Sequence, residues 1–274
     1  MTRDAFLELP DGARLAYDDV GAGSPVVFLH PGLWDRRTWD DQMASFPAAG
    51  FRSIRYDQRG FGASSRLAGE PYSNVRDLVA LLDALGLAQV ALVGCSMGGA
   101  IAIDTTLEHP DRVWALVAAA SALGGAESLP EEDAWYADIV APIDEAIEAG
   151  ELERARLLEL ELLWAPLGID DGAGRRIRDI AFDNLHELTM DESLAEQLDP
   201  PASHRLHEID LPTLVVKADH DPPDMRRLSD LIAAGVVDAR EVLIEDADHV
   251  VNVRQPQRFD AAVIPFLQDA APRT

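Results

Sequence analysis

The sequence predicts an α/β fold: a mostly parallel central sheet with helices on both faces, interrupted by an inserted all-helical segment. Three observations carry this. Short, nearly continuous apolar runs recur at 25–29, 52–56, 90–93 and 113–119, and again at 213–216 and 241–244. Runs of this kind are the mark of strands covered on both faces, as in a parallel sheet. Longer stretches with apolar residues at helical spacing lie between them. From 122 to about 208 the alternation stops, and only helical patterns remain.

Each element follows from its own residues. Segments 5–9 and 13–17 are strand candidates separated by Pro10-Asp11-Gly12, and Asp-Gly between two such runs signals a hairpin. The loop Gly21-Ala22-Gly23-Ser24 precedes the run at 25–29. A helix is predicted over 73–87, with Val75, Leu78, Val79, Leu82 and Leu85 on one face and Gly86 as its stop. A second is predicted from Met97 to His109, ending before Pro110. Within the insert, helices are predicted at 132–148, 151–164, 174–188 and 191–198. After Pro212 the alternation resumes, with helices at 224–234 and 256–267. The expected organisation is a core in two parts, 1–121 and 209–274, with a helical cap at 122–208.

The chain has 274 residues, of which 47% are hydrophobic, enough for one large core or a core with an added lobe. Its formal charge is −26, so phosphate backbones and anionic membranes would repel it. Neither nucleic acid nor membrane is expected as a partner. No run approaches the roughly 18–20 apolar residues of a membrane span. The start, Met1-Thr2-Arg3-Asp4-Ala5, has no long apolar region behind it, so no secretory signal is expected. The single Cys95 permits no internal disulfide and suits a reducing cytoplasm, the expected location.

The most informative stretch is Val90-Ala91-Leu92-Val93-Gly94-Cys95-Ser96-Met97-Gly98-Gly99. It reads as a strand, then Gly-x-Ser-x-Gly, then a helix. Such a turn is too tight for side chains at its flanks and forces the serine into a strained conformation at the end of the sheet. The helix N-terminus behind it adds positive potential where a negative oxygen would develop. A serine hydroxyl needs a base, and the base an orienting acid. Both are found at the ends of late strands, in the order serine, acid, histidine. The run 214–216 leads to Asp219 and Asp221, and the run 242–244 leads to His249.

With these residues in view, the chain resembles the α/β-hydrolase fold family, specifically its esterase, lactonase and haloperoxidase-like members with a helical cap. The matching stretches are Phe28-Leu29-His30-Pro31-Gly32, 57–64, Gly94-Cys95-Ser96-Met97-Gly98-Gly99, 212–216 running to Asp221, and His249 running to Pro256 and Phe259. The resemblance implies Ser96 as nucleophile, His249 as base and Asp221, rather than Asp219, as the acid. It implies an oxyanion hole from the backbone N–H groups of Met97 and Gly32, with Leu33 as the alternative to Gly32. Pro31 has no N–H to give. It makes His30 a brace for the loop. Three positions depart from the family pattern: Cys95, the acids Asp246 and Asp248, and Arg254 where an acid is frequent.

Leu33 and Trp34 are candidates for the acyl pocket. Trp135, Tyr136 and Trp164 could face either the substrate or the insert's own core. Asp57 and Arg59 read as structural, and His204-x-x-His207 as solvated rather than metal-binding. No metal, nucleotide or flavin motif is present, and no cofactor is expected. The expected activity is hydrolysis of a small carboxylic ester or lactone through an acyl-enzyme. The alternatives are perhydrolysis or C–C bond hydrolysis by the same residues, or a hydrolase-like receptor with little turnover. The insert 122–208 holds 22 acidic and 6 basic residues, a net −16, so a neutral or cationic small-molecule substrate is expected.

Overall fold

The computed structural model describes residues 5–66 and 69–272. Met1 to Asp4, part of the start read above for a secretory signal, lie outside the described residues. The chain opens with a hairpin, β1 (Ala5–Glu8) and β2 (Arg14–Gly21), turned at Gly12 with φ +86°. There follow β3 (Ser24–Leu29), α1 (Gln42–Ala48), β4 (Phe51–Tyr56), α2 (Asn74–Ala84), β5 (Val90–Cys95), α3 (Met97–Glu108) and β6 (Val113–Ala119). The insert carries α4 (Pro130–Glu148), α5 (Leu152–Glu159), a π-helical turn (Leu160–Trp164) and α6 (Gly172–Asp183). The core closes with β7 (Thr213–Ala218), α7 (Pro223–Gly235), β8 (Ala239–Ile244), α8 (Val251–Arg254) and α9 (Pro256–Ala270).

The eight strands form one sheet in the order β1-β2-β4-β3-β5-β6-β7-β8. The hairpin is antiparallel, within itself and to β4, and the remaining pairings are parallel. Strand alternation splits the core into two layers. Val27, Leu29 and Leu92 meet Leu78 and Leu81 of α2 and Ile101 of α3 on one face. Val26, Phe28 and Val93 meet Phe46 of α1 and Phe259 and Val263 of α9 on the other. Both layers are fully buried along the central strands, which explains the uninterrupted apolar runs. All parallel strands therefore end at one edge, where α/β sheets place their ligands.

The structure departs from the sequence expectation in several places. The helix expected over 174–188 is α-helical from Gly172 only to Asp183, and a separate 3-10 helix, Leu185–Thr189, follows it. Residues 191–198 are not a helix. Only Glu192–Leu194 makes a 3-10 turn. The chain then pairs with a neighbouring segment: Tyr72 N–H donates to Leu194 O (3.0 Å) and Glu196 N–H to Tyr72 O (2.8 Å). These bonds take one carbonyl acceptor, Leu194 O, and one donor, Glu196 N–H, that a helix would have used. The predicted helix at 151–164 is α-helical only to Glu159, and its last turn widens to π. Helix α1 leaves no clear periodic signal in the sequence because it is two turns long and contains Pro47.

The insert is tied to the core at several points. Glu132 pairs with Arg227 of α7, and the Tyr136 hydroxyl donates to Asp224 at 2.7 Å. Arg176 reaches Asp41, Arg37 reaches Asp183, and Asn184 donates to Asp35 at 3.0 Å. Among the described residues, no helix is long and apolar enough to cross a membrane.

Candidate active site

Between β5 and α3 the chain reverses within one residue. Ser96 has φ +53° and ψ −119°, a conformation that costs a non-glycine residue roughly 1–3 kcal/mol. Its neighbours hold it there. Ser96 N–H donates to Ala119 O (3.0 Å), and Ser96 O accepts from Ala100 and Ala122 N–H, each at 3.1 Å. The flanking glycines are required by close approach. A Cβ on Gly94 would stand 2.2 Å from Gly98 O, and one on Gly98 would stand 2.3 Å from Leu29 O. Ser96 is partly exposed between the buried Cys95 and the first residue of α3.

His249 and Asp221 come from the loops after β8 and β7. The His249 Nδ1–H donates to Asp221 Oδ1 at 2.7 Å, and both side chains are nearly inaccessible to solvent. That bond fixes the ring's direction and leaves Nε2 as the free acceptor of the neutral imidazole. Cys95 S–H donates to the His249 carbonyl at 3.5 Å, which seats the end of β5 against the histidine loop. Burial pushes the Cys95 thiol well up, as suits a packed side chain rather than a nucleophile. Asp219 has a different task. It accepts the N–H groups of Asp246 (3.1 Å) and Ala247 (3.0 Å), joining the two loops. Asp221 alone of the pair bonds to the imidazole.

The loop after β3 faces the start of α3. His30 donates from Nδ1 to Pro31 O (2.8 Å) and accepts from Gln58 N–H at Nε2 (3.0 Å). Burial holds its pKa below the ordinary imidazole value, so the neutral brace persists. Gly32 leaves open space where a Cβ would stand, and Leu33 takes φ +67°. Asp57 accepts from Arg36 N–H (2.9 Å), the Arg36 guanidinium and Ala63 N–H (2.7 Å). Arg59 forks onto Asp77 at 2.8–2.9 Å. Both therefore serve the scaffold.

Two aromatic rings surround His249. Trp34 is fully buried, its Nε1–H donating to Ile177 O of α6 at 2.8 Å, with its ring centroid 6.4 Å from the imidazole. Trp164, at the end of the π turn, lies closer, at 4.5 Å. Sequence reasoning left the direction of Trp164 open. Trp135 stacks edge-on against Tyr136 within α4. Of the acids before His249, Asp246 is exposed while Asp248 is fully buried and paired with Arg254. The departures at 248 and 254 thus answer one another, opposite charges six residues apart, one in the loop before α8 and one at its last residue.

A serine at a strained strand-to-helix turn, together with a buried His–Asp pair carried by the loops after β7 and β8 of a mostly parallel sheet, is the set of residues that marks the hydrolase class of α/β proteins. Known proteins agree. A family model described as alpha/beta hydrolase fold matches residues 25–256, and the chain belongs to that family. It is 31% identical over 262 residues to a Mycobacterium tuberculosis protein named as a non-heme bromoperoxidase, BpoC, covering 92% of this chain and 97% of that one. Among solved structures it resembles a hydrolase from Pseudomonas aeruginosa PA01, with 30% identity, a TM-score of 0.80 and coverage of 96% and 98%. It also resembles Est816, described as an N-acyl homoserine lactone degrading enzyme, with 27% identity, a TM-score of 0.75 and coverage of 96% and 100%.

Proposed function

We propose that the protein hydrolyses small carboxylic esters or lactones through a covalent acyl-enzyme on Ser96. The observation that carries this is the buried 2.7 Å bond from His249 Nδ1 to Asp221, which leaves Nε2 as the free acceptor, in a fold that also holds Ser96 in a positive-φ turn at the end of β5. In this scheme His249 Nε2 takes the Ser96 proton as Oγ adds to the substrate carbonyl. The tetrahedral oxyanion is stabilised by the N–H groups of Met97 and Gly32, with the α3 N-terminus adding to the field. His249 then protonates the leaving alkoxide. Water, deprotonated by the same nitrogen, releases the acid and restores Ser96. Asp221 holds the ring's tautomer and stabilises its charged form. Residues 122–208 act as a cap over this site, and Trp164, Trp34 and Leu33 form its apolar wall. The lactone-degrading neighbour supports the acyl chemistry. Similarity to the bromoperoxidase-named relative supports a second outcome, in which hydrogen peroxide replaces water and the acyl group leaves as a peracid.

The test is turnover of p-nitrophenyl butyrate by wild type and variants. Ser96→Ala and His249→Ala are expected to lose on the order of 10⁴–10⁶ in kcat, with the double variant little worse, because the groups act as a unit. Asp221→Asn should be severely impaired. Asp219→Asn should lose mainly stability, since its carboxylate holds backbone. Undiminished cleavage by Ser96→Ala would refute the mechanism.

A further inference from the structure

We propose that Arg254 is a positioning residue that fixes Trp164 against His249 and so controls access to the imidazole. The role rests on His249 being the base. Asp248, immediately before it, is fully buried, and a lone carboxylate there would be costly. Arg254 meets it with a forked pair, Nε to Oδ1 at 3.2 Å and Nη2 to Oδ2 at 2.7 Å. The rest of the guanidinium turns to the insert. Nη2 also donates to Gly168 O at 2.8 Å, and Nη1 lies 3.3 Å from Asp171. The corner 165–171 is therefore clamped to the loop that carries His249. Only a planar, five-donor group can make all these contacts together.

Trp164 is the residue just before that corner. Its indole N–H is buried without a hydrogen-bond partner, whereas Trp34 is anchored through its own N–H to Ile177 O. Nothing polar on Trp164 itself holds the ring 4.5 Å from His249. Its placement is inherited from the π turn behind it and the clamped corner ahead. Apolar packing of Ile169 with Val250 and Val253 follows the same seam. Loss of the guanidinium would free the corner, and the indole with it.

The experiment measures how fast diethyl pyrocarbonate modifies His249, read by mass spectrometry of the peptide that contains it. His30, equally buried, is the internal control for general loosening. Arg254→Met and Trp164→Leu should each speed His249 modification about tenfold with His30 unchanged. The double variant should be no faster than Trp164→Leu alone, because Arg254 acts through the indole. Arg254→Lys, which keeps the charge but not the fork, should fall between wild type and Arg254→Met. The preference for hexanoyl over acetyl p-nitrophenyl esters should shift in the same way in both single variants. An unchanged His249 rate in Arg254→Met, a rise matched by His30, or additive effects in the double variant would each overturn the proposal. The label reports access to the ring rather than turnover, so this result is independent of whether Ser96→Ala abolishes ester cleavage.

Discussion

Asp104 lies on α3, and one of its carboxylate oxygens is buried without a hydrogen-bond partner. Burial pushes its pKa up to about 6, with the nearby Glu108 adding to the rise and Arg205 opposing it. The folded protein thus holds this proton more tightly than the unfolded chain, whose carboxyl titrates near 4. It follows that folding loses stability from this group as pH rises from about 4 to about 6. Above that the penalty is constant. Asp104→Asn removes the charge that burial disfavours. Urea unfolding should show the variant more stable than wild type at pH 7.5 by on the order of 2 kcal/mol, and the gain should shrink toward zero near pH 4. A gain that is the same at both values would place its origin elsewhere. The Asp248 carboxyl is also raised by burial, but there Arg254 offsets the effect, which marks a partnered charge against an unpartnered one.

At the scale of the element, the β5–turn–α3 unit works because backbone touches backbone. Gly98→Ala would drive a methyl group into Leu29 O and His30 O, neither of which is the end of a flexible side chain. It should cost about 3 kcal/mol, the top of the usual overpacking range, and push α3 away from the β3 loop. Gly172→Ala, at the first turn of α6 with nothing within 4 Å, should be neutral or stabilising by up to about 1 kcal/mol. Urea denaturation of both variants checks the contrast. This unit was legible in the sequence because its chemistry is local: the glycines, the serine and the apolar strand are contiguous. The sheet was legible because burial on both faces leaves unbroken apolar runs. The acid was narrower to read. Asp219 and Asp221 are two residues apart; only the family resemblance favours Asp221 in the sequence, and in the structure Asp221 bonds His249 while Asp219 holds backbone N–H groups. The insert was read as helical, but not where it points. The packing of Trp164 on His249 depends on a π turn and on a clamp between segments distant in sequence, Arg254 on Gly168 and Asp171, and neither leaves a periodic trace. One signal for the clamp was present, in the paired charge departures at Asp248 and Arg254.

For the molecule as a whole, charge is distributed unevenly. The insert carries −16 of the −26, and its arginines are largely engaged: Arg156 with Glu187, Arg176 with Asp41, Arg178 with Asp179. Exposed acids such as Asp170 and Asp183 remain on its surface. A field of that sign slows the approach of anionic substrates over roughly a Debye length, about 8 Å at physiological salt. Matched esters differing only in a remote carboxylate should therefore show lower kcat/KM for the anionic member at low salt, with the gap closing as salt is added. Equal values at low salt would show that these charges serve solubility alone.

The insert separates β6 from its neighbour β7 by more than ninety residues of chain, although the two strands lie side by side. During synthesis β6, apolar along its whole length, leaves the ribosome well before the strand that covers its edge. Until then the nascent chain presents an unpaired, sticky border, and the loop to be closed makes the pairing slow as well as late. Asp221 and His249 emerge later still. The order of the gene thus imposes an order on assembly: the serine turn can form early, but the groups that would activate it arrive only when the sheet is being sealed. A chain stalled within the insert would therefore be a problem for chaperones rather than a source of premature activity.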